Sequence, residues 1–315
     1  MNETVNEATP TAVPEAARPP LLVLAGPTAS GKTAVALRLA ERLPIEIVSL
    51  DSVQVYRGLD VGSAKPSRDE RARLRHHAID LVDPDARFST ADWLQAADLA
   101  IADIRARDRV PLVVGGTGLY WRALMTGLAE LPSADDALRA SLVAQEAAAP
   151  GTLHARLAVV DAPSAARIAS RDTLRLVRAL EVHAVSGRPL SEHLAEHAAS
   201  RVDRRVQTIV LDRSNENLRS AIEQRARTML DSGLVEEARA LRDRWGAVRP
   251  LDAVGYREAL QRVDGAFPAT ELLGRIVTAT WQFARRQRTW FRKAGASLHE
   301  ADAEVALYAS ASTVR

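Results

Sequence analysis

An eight-residue stretch near the amino end constrains this chain more than any other feature. It places Gly26, Gly31, Lys32 and Thr33 at the fixed positions of the pattern G-x-x-x-x-G-K-[S/T], with Pro27, Thr28, Ala29 and Ser30 between them. The two glycines let the backbone curl so that successive N–H groups converge on phosphate oxygens. The lysine ammonium reaches the terminal phosphate, and the Thr33 hydroxyl is placed to hold Mg²⁺. All eight residues are therefore predicted to bind a di- or triphosphate.

The residues around this stretch predict strands that alternate with helices. Apolar runs typical of buried parallel strands lie at 21–25, 45–50, 110–114 and 206–211. Helical spacing of apolar residues covers 33–43 and 91–107. This alternation predicts an α/β fold with a parallel sheet and right-handed crossovers.

The pattern changes near residue 128, which suggests a second domain. Residues 128–197 show helical patterns and no convincing strand, so they are predicted to form an all-helical insertion domain. The core domain is then expected to comprise residues 21–127 and 198–296, and its carboxyl-terminal region is mostly helical. Residues 1–20 are rich in proline and are expected to form a disordered tail, and residues 297–315 a loose tail.

Composition excludes several classes of chemistry. The chain has no cysteine, which excludes disulfides, thiolate metal sites, iron–sulfur clusters and a thiol nucleophile. No apolar stretch is long enough to suggest a membrane span. We therefore expect a cytoplasmic protein without a membrane partner.

Asp51 follows the second predicted strand directly, whereas the strand at 110–114 ends in Gly115-Gly116-Thr117 rather than in an acid. An acid at a strand end beside a phosphate site can hold Mg²⁺ for a nucleotide hydrolase, or it can act as a general base. The residues alone leave these two roles for Asp51 open.

Several longer blocks resemble the tRNA dimethylallyltransferase (tRNA isopentenyltransferase) family. The most specific are DSVQVYRGLDVGSAKP at 51–66 and VGGTGLY at 114–120. Shorter blocks agree at 76–80, 131–134, 178–182, 254–258 and 285–287. The resemblance spans roughly residues 21–295 and implies a P-loop NTPase-like core.

The resemblance implies transfer of a dimethylallyl group from dimethylallyl diphosphate to N6 of the adenosine 3′-adjacent to the tRNA anticodon, with Mg²⁺ assisting. The glycine-rich stretch would then hold a diphosphate leaving group rather than ATP. Asp51 is implied as the general base and Thr117 as a second polar contact at the reaction centre. Arg225 is implied near the diphosphate, and Ala221 replaces a second arginine that the family carries one helical turn earlier.

The resemblance also implies contacts with a tRNA anticodon stem-loop, whose target adenine has to be extruded before it can react. The implied tRNA-binding residues are Asp51, Ser52, Val53, Gln54, Thr117, Arg139, Leu174, Arg175, Arg178, Val254, Gly255, Tyr256 and Arg257. Arg175 and Arg178 are expected to share one helix face. Asp252 stands where the family frequently has a basic residue.

Three other functions are compatible with a phosphate loop of this kind. They are a P-loop small-molecule kinase with Asp51 as base, an adenylate prenyltransferase acting on free AMP, and a non-catalytic RNA-binding module. Between residues 201 and 296 the chain has 19 Arg or Lys against 12 Asp or Glu. This surplus and the helical insertion favour a large RNA acceptor. We expect the protein to be a monomer.

Overall fold

The structure is a computed structural model that describes residues 20–200, 204–292 and 297–312. The described residues form two compact units. One contains the chain up to Met125 and from Arg205 onward, and the other is Thr126–Arg204. The predicted disordered tail lies outside the described residues, except for Pro20.

The first unit is built on a parallel sheet, as predicted. Its strands are β1 (Leu21–Ala25), β2 (Ile45–Leu50), β3 (His76–His77), β4 (Val110–Gly115), β5 (Val206–Leu211) and β6 (Ser297–Leu298). Their order across the sheet is β3-β2-β4-β1-β5-β6, and every pair is parallel. Neighbouring strands that run in one direction need crossover connections, which the helices supply.

The helices of the described residues follow in chain order. They are α1 (Lys32–Ala40), α2 (Arg68–Arg73), α3 (Thr90–Ala106), α4 (Gly118–Thr126), α5 (Asp136–Ala148), α6 (Thr152–Val160), α7 (Ala162–Arg167), α8 (Thr173–Ser186), α9 (Leu190–Ser200), α10 (Asn215–Asp231), α11 (Leu234–Trp245), α12 (Tyr256–Val263), α13 (Leu272–Phe291) and α14 (Glu300–Ser312). None of them is both long enough and apolar enough to cross a lipid bilayer.

The sheet is covered on both faces because successive strand residues point to opposite sides. Leu21, Val23 and Ala25 of β1 pack in a cluster with α3 and α4, whose largest contribution is the fully buried Trp93. Leu22 and Leu24 point to the other face, where α1 and α14 cover them. The core is therefore a three-layer α/β arrangement with β1 at its centre.

The helical carboxyl-terminal region has its own apolar core. Side chains from α10 to α13, among them Met229, Leu234 and Ile276, enclose Leu59 and Tyr256. The second unit is held together separately by α5, α6, α7 and α8, with Leu142, Leu153 and Leu176 at its centre. No strand occurs in the described part of Thr126–Arg204.

The expectation of a loose tail from residue 297 is wrong for residues 297–312. Strand β6 pairs with β5, and α14 packs on α1. Ala303 and Leu307 are fully buried, and Arg38 pairs with Glu304 at 2.5 Å. This helix is not evident from the sequence because its apolar contact is narrow. Ala303 and Leu307, one turn apart in an alanine-rich segment, are its buried residues, and Ala306 packs beside them. Residues 313–315 lie outside the described part.

Candidate active site

The phosphate loop, Gly26–Thr33, connects β1 to α1 and has the backbone that its glycines permit. Gly26 has a φ of +150°, and a Cβ placed on it would lie 2.3 Å from the carbonyl oxygen of Leu211. Gly31 has a φ of +100° and caps α1, which has no acidic residue in its first turn. No carboxylate of α1 therefore neutralises the partial positive charge at the amino end of this helix. That end faces the loop, where it can attract an anion.

Two cations lie at this loop. The Nζ of Lys32 donates hydrogen bonds to the carbonyl oxygens of Gly26 (3.0 Å) and Pro27 (2.7 Å). Burial, assisted by the nearby Arg225 charge, lowers the pKa of Lys32 to about 7, and Asp51 opposes that shift. Burial also lowers the pKa of Arg225, again opposed by Asp51. These effects mean that Lys32, Arg225 and Asp51 share one site, where the two cations repel each other until an anion arrives.

Asp51 is fixed immediately after β2 by its own backbone. Its Oδ1 accepts hydrogen bonds from the N–H groups of Val53 (2.8 Å) and Gln54 (3.2 Å). This turn, in which an aspartate accepts from residues two and three positions ahead, is favoured by a short acidic side chain. The carboxylate is therefore held at the carboxyl end of the sheet.

The loop after β4, Gly116–Gly118, is locked to the same place and is called the Thr117 loop here. The N–H groups of Gly116 and Thr117 donate to the carbonyl oxygen of Leu50 at 3.2 and 3.1 Å. The Thr117 Oγ1 accepts a hydrogen bond from the N–H of Ser52 at 3.1 Å. Thr117 thus lies beside the residue that follows Asp51, and its contact with a substrate stays a prediction.

Gln54 and Arg225 both bind the loop that contains Ser63 and Ala64. The side chain of Gln54 accepts from the Ser49 hydroxyl at 2.9 Å and donates to the carbonyl oxygens of Ser63 (3.4 Å) and Ala64 (3.3 Å). The guanidinium of Arg225 also donates to the Ser63 carbonyl oxygen, at 3.4 Å. The structure therefore brings the phosphate loop, Asp51–Gln54, Thr117 and Arg225 together at the carboxyl ends of β1, β2 and β4, where open α/β sheets bind ligands.

The predicted tRNA contacts in the second unit have unequal surroundings. Leu174 is exposed, and Arg175 is an exposed arginine whose partner is Asp172 on the same turn (2.8 Å). Arg139 and Arg178 instead both bind Glu181, whose side chain is fully buried, at 2.8 and 2.5 Å. These two arginines neutralise a buried carboxylate, so they have a structural role whatever else they contact.

The predicted contact segment near α12 is largely internal. The Tyr256 side chain is fully buried, and its hydroxyl donates to Glu237 at 2.5 Å. The N–H of Gly255 donates to Glu258 at 2.8 Å, and Arg257 pairs with the same carboxylate at 2.6 Å. The Tyr256 side chain is a core element here, so a contact with RNA, which stays a prediction, would have to involve its backbone. Val254 is half-buried, and Arg257 is exposed.

Sequence reasoning missed two residues that build the site. Gln287 of α13 bonds both the phosphate loop and the Thr117 loop. Glu237 of α11 accepts from the N–H groups of Val61 (2.9 Å) and Gly62 (3.2 Å), which fixes the loop that carries Ser63. The hydrogen-bond partners of both residues are more than a hundred residues away in sequence. The block at 285–287 that resembles the family contains Gln287, but neither this block nor the residues around Glu237 indicate those partners.

Two family models match this chain. The one described as IPP transferase matches residues 54–294, and the one described as isopentenyl transferase matches residues 19–81. The chain is 45% identical over 279 residues to tRNA dimethylallyltransferase 1 of Syntrophotalea carbinolica, covering 88% of this chain and 89% of the relative. It is 49% identical over 276 residues to tRNA dimethylallyltransferase of Anaeromyxobacter dehalogenans, covering 87% and 92%.

Solved structures are similar as well. A tRNA delta(2)-isopentenylpyrophosphate transferase from Staphylococcus epidermidis is 32% identical with a TM-score of 0.62, covering 90% of this chain and 94% of that one. A eukaryotic dimethylallyltransferase acting on tRNA is 24% identical with a TM-score of 0.74, covering 87% and 70%. The second likeness concerns the fold alone.

Proposed function

This chain belongs to the tRNA dimethylallyltransferase family, and from that premise we propose that it transfers a dimethylallyl group from dimethylallyl diphosphate to N6 of the adenosine 3′-adjacent to the tRNA anticodon. One observation carries the proposal. A carboxylate, Asp51, lies within electrostatic reach of two cations at a phosphate loop, Lys32 and Arg225. Such a site can stabilise an anionic leaving group on one side and accept a proton on the other.

The phosphate loop serves the leaving group in this mechanism. As the allylic C–O bond breaks, its electron pair passes to the diphosphate. This developing charge is stabilised by Lys32, the loop N–H groups, the amino end of α1 and Arg225. Donors that are already in place where charge develops lower the activation free energy. Lys32 presently donates to the loop's own carbonyl oxygens, and a bound diphosphate would exchange those bonds for bonds to charged oxygens.

Asp51 acts on the acceptor, which is the target adenine. The adenine N6 is a weak nucleophile because its lone pair is delocalised into the ring. As N6 forms its bond to the allylic carbon, the nitrogen loses a proton, and the Asp51 carboxylate accepts it. General-base assistance of this kind contributes about 10²–10⁴-fold. Thr117 keeps the backbone beside Asp51 in place through its bond from Ser52.

Mg²⁺ fits the donor atoms of this site. Thr33 offers a hydroxyl oxygen at the start of α1, and the described residues contain no cluster of three or more His, Cys, Asp or Glu. Mg²⁺ characteristically binds through one or two protein oxygens together with phosphate oxygens and water. When bound, the ion neutralises charge on the diphosphate.

We propose a tRNA anticodon stem-loop as the acceptor. Ser52, Val53 and Gln54 adjoin the general base and are placed to contact the extruded adenine. The basic surplus of the carboxyl-terminal region suits a polyanion. The expectations of a monomer and of a cytoplasmic location stay predictions, as do the roles of Arg139, Arg175 and Arg178 in tRNA binding.

The test uses radiolabelled dimethylallyl diphosphate with unmodified tRNA, with AMP, or without acceptor, and ATP replaces the donor in a parallel reaction. We expect label in tRNA only, and loss of transfer in Lys32→Ala. Label in AMP alone would indicate an adenylate prenyltransferase. Turnover of ATP with a small acceptor would indicate a kinase. Binding of tRNA without transfer would indicate an RNA-binding module.

A further inference from the structure

Gln287 is a polar side chain in an apolar row of α13. The other buried side chains of this helix are Leu272, Ile276, Ala284 and Phe291. Gln287 is only 7% exposed, and a buried amide is costly unless its hydrogen bonds are made. Its partners therefore indicate why a polar group is tolerated there.

Both ends of the Gln287 amide are used, and they bind different loops. Its Oε1 accepts a hydrogen bond from the N–H of Thr28 at 2.8 Å, in the phosphate loop. Its Nε2 donates to the carbonyl oxygen of Gly116 at 2.9 Å, at the start of the Thr117 loop. A Cβ on Gly116 would lie 2.3 Å from that Nε2, so the approach requires glycine at this position.

The two loops have separate tasks in the proposed reaction. The phosphate loop holds the leaving group, and the Thr117 loop bonds to Ser52, next to Asp51. The Thr28 N–H is donated to Gln287 rather than left for a phosphate. One planar amide thus sets the separation between the diphosphate site and the loop that supports the general base.

We propose that Gln287 is a positioning residue that keeps the phosphate loop and the Thr117 loop at a fixed separation, so that the departing diphosphate and the N6 nitrogen that Asp51 deprotonates are aligned on one reacting carbon. The inference rests on the proposed function. Its physical basis is that displacement of reacting groups by about 1 Å can cost about 10²-fold in rate. This role requires only the two bonds of Gln287 to the loops, and no contact with either substrate.

Removal of this amide should leave α13 in place, because Arg288 anchors the helix independently. Its guanidinium pairs with Asp212 at 2.7 Å and donates to Asn215 at 2.5 Å. Gln287→Met, which keeps length and removes both hydrogen bonds, is therefore a suitable variant. Gln282→Met is the matched control, since Gln282 lies on the same helix and is exposed.

Steady-state kinetics with labelled donor and tRNA test the proposal. For Gln287→Met we expect kcat to fall about 10–100-fold, while KM for each substrate changes by less than about 3-fold. Gln282→Met should match the wild type. A kcat within about 2-fold of the control, or a loss carried entirely by KM, would overturn the positioning role. Wild-type protein that transfers no label to tRNA would instead overturn the proposed function.

Gln287→Glu provides a second readout, which holds even if the methionine variant does not fold. The introduced carboxylate can accept from Thr28, but it can donate to the Gly116 carbonyl oxygen only when protonated. Its kcat relative to wild type should rise as pH falls from about 9 to about 6, since burial favours the neutral acid. Lys32, Asp51 and the Arg288–Asp212 pair are common to both proteins. Because the new carboxylate also raises the pKa of Lys32, the Lys32 midpoint is measured in both proteins by pyrophosphate binding at each pH. A ratio that does not change with pH would contradict the proposal.

Discussion

At the scale of single residues, Asp51 combines a local and a chemical role. Its Oδ1 closes the turn at Val53 and Gln54, and its charge acts on Lys32 and Arg225. A substitution that keeps the turn but removes the base separates these roles. Asparagine does so because its carbonyl oxygen can still accept the two backbone hydrogen bonds.

We predict that Asp51→Asn lowers kcat by about 10²–10⁴-fold and leaves tRNA affinity within about 3-fold. Single-turnover transfer and filter binding of tRNA measure the two quantities. Asp51→Ala is the companion variant, because it also removes the turn. Equal loss of tRNA binding in both variants would make Asp51 a recognition residue instead.

Lys32 is predicted to give diphosphate binding a pH dependence. Its pKa in the free protein is lowered to about 7, chiefly by burial. A bound diphosphate favours the charged form and raises that pKa, so binding above pH 7 takes up a proton and affinity falls as pH rises through this range. Calorimetry of pyrophosphate binding in buffers of different ionisation enthalpy measures the uptake.

Arg225→Gln is the informative variant for this prediction. It removes a charge that lowers the Lys32 pKa, so the midpoint of the pH dependence should move to higher pH. An unchanged midpoint would mean that Arg225 does not act on Lys32.

At the scale of elements, the site is formed by loops at the ends of neighbouring strands, and helices that follow much later in the chain contact these loops. β1, β2 and β4 end side by side, which brings the phosphate loop, Asp51 and the Thr117 loop to one edge. The carboxyl-terminal helices then add Arg225 and Gln287. Helix α14 contributes none of the residues named in this site. It covers one face of the sheet and is expected to stabilise it.

For α14 we predict that Leu307→Ala destabilises the protein by about 2–5 kcal/mol, because a fully buried leucine leaves a cavity. Val305 on the same helix is 70% exposed, and Val305→Ala should change stability by less than about 0.5 kcal/mol. Denaturant unfolding measures both. Equal effects would mean that α14 does not pack on the sheet as described.

At the scale of the whole molecule, the basic side chains have different roles that depend on their surroundings. Most of its cations are arginine, since Lys32, Lys65 and Lys293 are the only lysines among 42 basic residues. Some guanidinium groups neutralise buried acids, as Arg139 and Arg178 do at Glu181. Others, such as Arg175, are exposed and paired only with a near neighbour. A surplus of charge in the sequence therefore overstates the number of arginines available to RNA.

We predict that Arg175→Ala weakens tRNA binding and reduces its salt dependence while unfolding is unchanged. Arg178→Ala should lower thermal stability, because it leaves Glu181 buried with one fewer partner. Binding at several salt concentrations and thermal melts measure the two effects. If Arg175→Ala leaves the salt slope unchanged, that side chain is an ordinary solvated arginine.

Four of the six described strands and the phosphate loop could be predicted closely, whereas the two-residue strands β3 and β6 were not predicted. The observed β1, β2 and β5 have the predicted bounds, and β4 is one residue longer. These elements can be predicted because the pattern that defines each of them lies within a few neighbouring residues. Local sequence patterns do not predict the burial of Tyr256, the helix after residue 299 or the hydrogen bonds of Gln287.

The sequence by itself determined the parallel α/β core, the anion-binding turn and the carboxylate after β2, since each depends on backbone geometry and on side chains close together in the chain. Only the tertiary structure decided which arginines are already committed to buried acids, which tyrosine is internal, and which glutamine links the two loops. These properties depend on what lies opposite a side chain once the chain has closed on itself, because burial and hydrogen-bond satisfaction are set by distant partners.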